Sequence, residues 1–251
     1  MLREVRPTEI GRINLSATLS TNAIVEGTTE KVGMIVSAGP GIEPGHYKIG
    51  DHYHRVEGAL DHRGTEILPL DARQLEKAIG ACKKAGITSY AAVSKFSPRN
   101  PAHENAVRDA LAAASDFVTL GHTLSGHLNF PRRVATAYYN SAVWRLYNRF
   151  ADAVEKSLVE YGITASVNIL KADGGTMPLA VSRTLPVETI LSGPAASVMG
   201  ILALCDIATD SVVLDIGGTT TDIAGCASGA PLIEPDVISL NNRPTLVRAL
   251  R

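Results

Sequence analysis

Residues 211–225 read SVVLDIGGTTTDIAG, and this order of residue types leaves few ways to fold them. An apolar run, Val212, Val213 and Leu214, delivers Asp215 to the pair Gly217 and Gly218. Thr219, Thr220 and Thr221 then lead to Asp222 and a second apolar run through Ile223 and Ala224. Short apolar runs on either side of Gly-Gly predict strand, tight turn, strand. Glycine adopts backbone conformations closed to other residues, and without a side chain it lets a phosphate approach main-chain N–H groups. A threonine hydroxyl donates to a phosphate oxygen, and a carboxylate at a strand end holds a hydrated divalent cation. Gly-Gly alone makes an ordinary hairpin turn. The spacing Asp-x-Gly-Gly-Thr-x-x-Asp places two carboxylates and a hydroxyl around that turn, which suits a nucleotide's phosphates held through Mg2+. It is not a Walker loop, since no Gly-Lys-Ser/Thr follows, nor a dinucleotide fingerprint, which needs a third glycine opening a helix.

The rest of the chain alternates between strand and helix patterns. Residues 31–37, KVGMIVS, predict a buried strand that ends in the Gly/Pro-rich AGPGIEPG. Residues 71–85 predict a helix with Asp71 as N-cap, Leu75, Ala78, Ile79 and Cys82 at helical spacing, and Gly86 as the stop. A strand over 88–94, a helix over 101–114 capped by Asn100, and a strand over 117–120 follow. This alternation predicts an α/β layer with parallel pairing. From Arg132 to about Tyr161 runs the longest helical pattern, with Pro131 ahead and Gly162 behind. About 30 residues of helix span roughly 45 Å, and Tyr138, Trp144, Tyr147 and Phe150 on it predict core packing. A strand over 166–171 leads to Asp173, Gly174 and Gly175, and a short helix over 178–182 follows. Ser192-Gly193-Pro194 then opens another helix, kept slim by Ala195, Ala196, Ser197 and Gly200 for a close backbone or ligand.

Several polar groups admit two readings. In LSATLSTNAIVEG, residues 15–27, a loop leads into a short helix with Ser20, Thr21 or Asn22 as its cap. His52-x-His54 puts two imidazoles on one strand face, near His46, Asp51, Asp61 and His62. That spacing suits a metal pair, and the same residues also suit a solvated hairpin turning around 61–64. His103 and Glu104 make a polar helix start, with His103 a candidate catalytic group. His122 and His127 flank GHTLSGH, which reads either as a plain loop or as a cleft lining. Arg132 and Arg133 oppose the dipole at the start of the long helix, which calls for an anion or a partner carboxylate.

A formal net charge of −1 provides no basic field for nucleic acid, so a small-molecule substrate is expected. Cys82, Cys205 and Cys226 are an odd number without metal-ligand spacing, which argues against a disulfide framework. No apolar run approaches a membrane span, and the charged first residues do not suit a secretory signal, so a cytoplasmic location is expected.

DIGGTTTD resembles the phosphate loop of the actin-like and sugar-kinase ATP-binding proteins. The preceding PVETILSGPAASVMG resembles the hydantoinase A/5-oxoprolinase family, as do LSATLSTNAIVEG, FSPRNPAHE and LKADGG in order along most of the chain. The family usually carries asparagine where Asp173 stands. The resemblance implies ribonuclease H-like, actin-like α/β elements with parallel or mixed sheets flanked by helices and one long central helix. It divides the chain into 1–130, part of a first lobe with an inserted α/β region, and 131–251, the long helix and the start of a second lobe. Family members are longer and open with their own copy of the phosphate loop, so an internal fragment, inactive alone, is expected.

The implied activity is ATP-dependent opening of a hydantoin- or 5-oxoproline-type cyclic amide through phosphorylation of the ring oxygen. An acetone carboxylase-type subunit and a non-catalytic nucleotide-binding module are the alternatives, and a homo-oligomer or a partner subunit is expected. On this reading Gly217, Gly218, Thr219, Thr220, Ser192, Gly193, Gly174 and Gly175 contact ATP. Asp215 and Asp222 are the catalytic residues, positioning Mg2+ or a water, and Asp215 is the metal ligand.

Overall fold

The computed structural model describes residues 6–217, 221–234 and 237–251. The elements begin with β1 (Arg12–Leu15), α1 (Leu19–Val25), β2 (Val32–Ser37), β3 (His52–Arg55), β4 (Ala59–Leu60), β5 (Glu66–Leu68) and α2 (Ala72–Lys84). Next come β6 (Ser89–Ser94), α3 (Ala102–Leu111), β7 (Phe117–Leu120), α4 (Gly121–Leu124), α5 (Phe130–Glu160), β8 (Ser166–Leu170), β9 (Thr176–Pro178) and α6 (Leu179–Ser182). The chain closes with α7 (Ser192–Leu204), β10 (Ser211–Ile216), β11 (Thr221–Ala227), β12 (Ala230–Pro231), β13 (Ser239–Leu240) and β14 (Arg243–Pro244).

These elements form two compact units that interleave along the chain. One takes the described residues of Met1–Gly27, Leu146–Ile238 and Val247–Arg251; the other takes Thr28–Arg145 and Ser239–Leu246. The physical reason is that β1 pairs in parallel with β8, which joins an early segment to a late one. The long helix α5 contributes to the second unit as far as Arg145 and to the first from Leu146.

The Thr28–Arg145 unit holds an all-parallel sheet in the order β3-β2-β6-β7. Every residue of β2 and β6 is buried, as expected for parallel strands covered on both faces. Leu75, Ile79 and Cys82 of α2 and Val107 and Leu111 of α3 pack with Ile35, Tyr90, Ala92 and Leu120 of the sheet. Each fully buried side chain of this size contributes about 1.5–3 kcal/mol. The Asp71 carboxylate caps α2 by accepting from Arg73 N at 2.9 Å and Gln74 N at 3.0 Å, and Gly86 at φ +70° ends it. Asn100 Oδ1 accepts from Ala102 N at 3.0 Å at the start of α3. Ser141 on α5 donates to Tyr90 O at 2.6 Å and meets the Thr119 hydroxyl at 2.7 Å. The hairpin expected in the histidine-rich segment is confined to β4 and β5, turning at 61–64. The preceding His52–Arg55 joins the parallel sheet because it pairs with β2.

In the other unit β8 lies between β1 and β9, and β10, β11 and β12 form an antiparallel ribbon. Tyr147 and Ala151 of α5 pack on Ile169, Met177 and Leu179, and the Tyr147 hydroxyl donates to Ser182 Oγ at 2.6 Å. Ser20, Thr21 and Asn22 do not cap α1: they lie inside it, after Thr18 at the N-cap position. The hydroxyls of Ser20 and Thr21 serve other partners, meeting Thr189 Oγ1 at 3.4 Å and accepting from Leu191 N at 2.9 Å. Among the described residues no helix is long and apolar enough to cross a membrane.

Candidate functional site

The site is built on the β10–β11 hairpin. Its register opposes Asp215 to Asp222 and Val213 to Ala224, so these four share one face. Val213, Ala224 and Cys226 are buried against Val198 of α7, with Leu250 packed beside them. Val212, Leu214, Ile216 and Ile223 point the other way and are 55–73% exposed. On the α7 side, Ser197 donates to Asp215 Oδ2 at 2.5 Å. Asp215, Asp222 and Ser197 line a cavity of about 180 Å³ together with Ala172, Pro194 and Leu250. Ligand pockets usually hold about 300–1,000 Å³. This one has room for a phosphoryl group or a hydrated cation, and a nucleoside would lie outside it. Like charges directly opposite on a hairpin repel, and Asp215 and Asp222 stand in that relation.

Gly217 follows β10 and is exposed; Gly218, Thr219 and Thr220 lie outside the described residues. Ser192 is fully buried, with its hydroxyl donating to Ala17 O at 3.2 Å and accepting from Ala17 N at 3.4 Å. A Cβ on Gly193 would sit 3.0 Å from Thr18 Cγ2. Both residues therefore seat the start of α7 on the 15–27 segment, and α7 in turn carries Ser197 to Asp215. Leu191, just before them, turns the chain at φ +60° and donates its N–H to Thr21.

Gly174, at φ +81°, lies against the Met199 side chain of α7. Gly175 N donates to Asp173 Oδ1 at 2.9 Å, and Lys171 Nζ donates to Asp173 Oδ2 at 2.9 Å. The carboxylate at 173 thus has a cation to pair with. Burial pushes the Asp173 carboxyl up, but the bonds from Lys171 and Gly175 outweigh it and hold it below its ordinary range. Glu188, 4.0 Å from Lys171 Nζ, is raised by burial against the pull of Lys171, with Asp173 adding to the rise. Lys171, Glu188 and the polar role of Ser197 give no signal in the sequence, because each acquires its partner only through tertiary contact.

The Thr28–Arg145 unit carries a second polar cluster. His103 and Glu104 form the polar start of α3, and both are buried, at 2% and 0% exposed. Glu104 accepts from Ser94 N at 2.8 Å, His122 N at 2.8 Å and His122 Nδ1 at 2.6 Å. His103 Nε2 lies 2.7 Å from Glu66 Oε1. Arg133 is also fully buried, with Nη1 donating to Ser97 Oγ at 2.6 Å and standing 3.5 Å from Glu104 Oε1. This is the partner carboxylate that its place in the first turn of α5 called for. Burial pushes the guanidinium down to about 10, with Glu104 opposing. Among the described residues no three His, Cys, Asp or Glu come together to hold a metal, the histidine-rich segment included.

Residues 133–251 match the hydantoinase/oxoprolinase family, and residues 1–114 match the hydantoinase/oxoprolinase N-terminal region. The chain belongs to the hydantoinase/oxoprolinase family. Within it, caprolactamase subunit alpha of Pseudomonas jessenii is 27% identical over 230 residues, which is 82% of this chain and 33% of that protein. A 5-oxoprolinase of Pestalotiopsis fici is 23% identical over 265 residues, 86% of this chain and 20% of that one. The chain thus spans a third or less of the length of these two relatives. Among solved structures, nucleotide-free acetone carboxylase superposes with a TM-score of 0.82 at 20% identity, over 95% of this chain and 38% of that one. The ATP-dependent caprolactamase of P. jessenii gives 0.79 at 23% identity, over 99% and 39%. The hydantoinase/oxoprolinase chain therefore shares the fold of these two structures, with the helix-flanked α/β sheets that its motifs implied.

Proposed function

We propose that this chain supplies the phosphate-binding part of an ATP-dependent hydrolase that opens cyclic amides of the lactam, hydantoin or 5-oxoproline type. One observation carries the reading: Asp215 and Asp222 oppose each other across a hairpin and line a small cavity beside α7. The family supports it, since relatives in it include a caprolactamase and a 5-oxoprolinase. Mg2+ fits this donor set, because it is commonly held by one or two carboxylates with waters and substrate phosphates completing its shell. When bound it would neutralise charge on the transferring phosphoryl group.

Asp215 and Asp222 would hold the cation or position a water, with Ser197 fixing the orientation of the Asp215 carboxylate. Gly217, Gly218, Thr219 and Thr220 would present N–H and hydroxyl donors to the phosphates. Gly174 and Gly175 are kept as backbone contacts of the nucleotide, and Ser192 and Gly193 as the seat of α7. In the reaction the amide oxygen attacks the γ-phosphorus and ADP leaves. Water adds to the activated carbon, the ring C–N bond breaks with its electron pair and a proton going to nitrogen, and a second water releases inorganic phosphate. The P. jessenii relative is named an alpha subunit, which supports a partner subunit here. A cytoplasmic location is part of the same reading.

Calorimetric titration of Mg-ATP into the full-length protein, with and without Asp215→Ala, tests the assignment. Binding that Asp215→Ala weakens at least tenfold, with ATP turnover raised by a cyclic amide, is expected. Equal binding by the folded variant would overturn the role of the hairpin. Turnover that requires bicarbonate in place of a cyclic amide would overturn the substrate class.

A further inference from the structure

In the Thr28–Arg145 unit a cavity of about 730 Å³ lies at the carboxyl ends of β2 and β3, walled by the chain leaving each strand. Ligands of open parallel sheets bind outside the carboxyl ends of the strands, and this volume is within the usual range for small-molecule sites. Its lining is mixed. Ile67 and Leu68 are 56% and 46% exposed, so they offer apolar surface that a bound molecule would cover.

Two opposite charges stand beside that surface. The β2–β3 pairing runs on through Val56, whose N–H donates to Val36 O at 2.9 Å. Arg55 and Glu57, on either side of buried Val56, are both exposed and both line the cavity. Arg55 is paired with Glu43, which also accepts from Gly45 N at 2.9 Å. Glu57 is bound through its backbone, its N–H donating to Gln74 Oε1 at 2.9 Å, and its carboxylate makes no ion pair among the described residues.

We propose that this cavity binds a small zwitterionic amino acid, with its carboxylate on Arg55 in place of Glu43, its ammonium on Glu57 and its carbon chain on Ile67 and Leu68. A planar guanidinium recognises a carboxylate through two parallel hydrogen bonds, and Glu57 supplies the charge complement an ammonium needs. Opening a lactam frees one carboxylate and one amine on a single chain, so the molecule that fits has the chemistry of that product class. This last connection rests on the proposed reaction; the site itself does not.

The test is calorimetric titration of 6-aminohexanoate, hexanoate and 1-aminohexane into the full-length protein, repeated in Arg55→Met, Glu57→Gln, Glu43→Gln and Asp215→Ala. The zwitterion is expected to bind at least tenfold more tightly than either singly charged probe, and Arg55→Met and Glu57→Gln are each expected to remove that preference. Glu43→Gln frees Arg55 and is expected to tighten binding several-fold, a gain that misfolding cannot imitate. Asp215→Ala is expected to leave it unchanged, so failure of the hairpin reading and failure of this one are separable. Equal affinity for all three probes, no binding, or weaker binding in Glu43→Gln would overturn the proposal.

Discussion

Replacing Glu104 by glutamine tests whether the buried cluster beneath α5 is a coupled unit. The carboxylate has no exposed surface and serves four groups: Ser94 N–H and Arg133 at Oε1, and His122 N–H and Nδ1 at Oε2. Glutamine keeps one acceptor oxygen and gains an NH2 that cannot accept. Whichever oxygen the NH2 replaces, a backbone N–H of Ser94 or His122 loses its acceptor, at a cost of about 1–3 kcal/mol. Arg133 meanwhile loses its counter-charge in the interior, and breaking one side of a buried pair costs about 3–5 kcal/mol. These terms overlap, so the expected loss for Glu104→Gln is about 3–5 kcal/mol. Arg133→Met should cost a similar amount, and the double variant should lose less than the sum by about 1–3 kcal/mol. Urea unfolding gives the four free energies, and hydrogen exchange at the β6 amides assigns them to the correct unit of a chain that has two. A loss under about 1 kcal/mol, or strict additivity, would refute the view that Glu104 and Arg133 are held buried by each other.

Two further outcomes follow from packing and from linkage. A Cβ on Gly33 in β2 would stand 2.6 Å from Tyr90 Cδ1 and 3.0 Å from Cys82 Sγ. Tyr90 is fully buried and its hydroxyl is tied to Ile87 O at 3.1 Å, so Gly33→Ala should cost about 1–3 kcal/mol in denaturant unfolding, and an unchanged midpoint would contradict the packing described. Glu188 has a folded pKa raised above its ordinary 4.5, chiefly by burial. The folded state therefore binds more protons than the unfolded one above that value, and stability falls as pH rises through the window. Glu188→Gln removes this dependence, so its melting temperature should gain on the parent as pH rises above 4.5, and a gap that shrinks would reverse the assignment.

Much of the fold was legible because local signals and burial agree. In 71–85 the cap, the apolar spacing and the glycine stop all point to one helix, and α2 has those features. The strand KVGMIVS was legible as a buried run, since a strand covered on both faces has no polar alternation, and 88–94 was legible as a strand. What local signals do not carry is which segments meet. Ser20 and Thr21 have good capping side chains, yet their hydroxyls face the turn at 189–191, some 170 positions later in the chain, so the apparent cap was misplaced. His103 and Glu104 read only as a polar helix start for the same reason: it is the packing of α3 against β6 and α4 that makes them interior. Arg133 is the exception, because a cation at a helix N-terminus opposes the dipole, and that conflict between neighbouring residues is enough to signal a carboxylate partner.

The candidate site divides in the same way. Residue types around the Gly-Gly turn were enough to suggest phosphate and cation chemistry, but not which face of the hairpin the aspartates share. That is a question of register, and a slip of one residue would turn Asp222 to the opposite face from Asp215. In the observed pairing Val213 opposes Ala224 and Ser211 opposes Cys226. This alignment buries Val213, Ala224 and Cys226 against Val198, whereas a one-residue slip would bring Ile223 and Gly225 to that face. The same alignment sets Asp215 opposite Asp222 and within reach of Ser197. Three residues buried against α7 therefore select the arrangement of the two carboxylates.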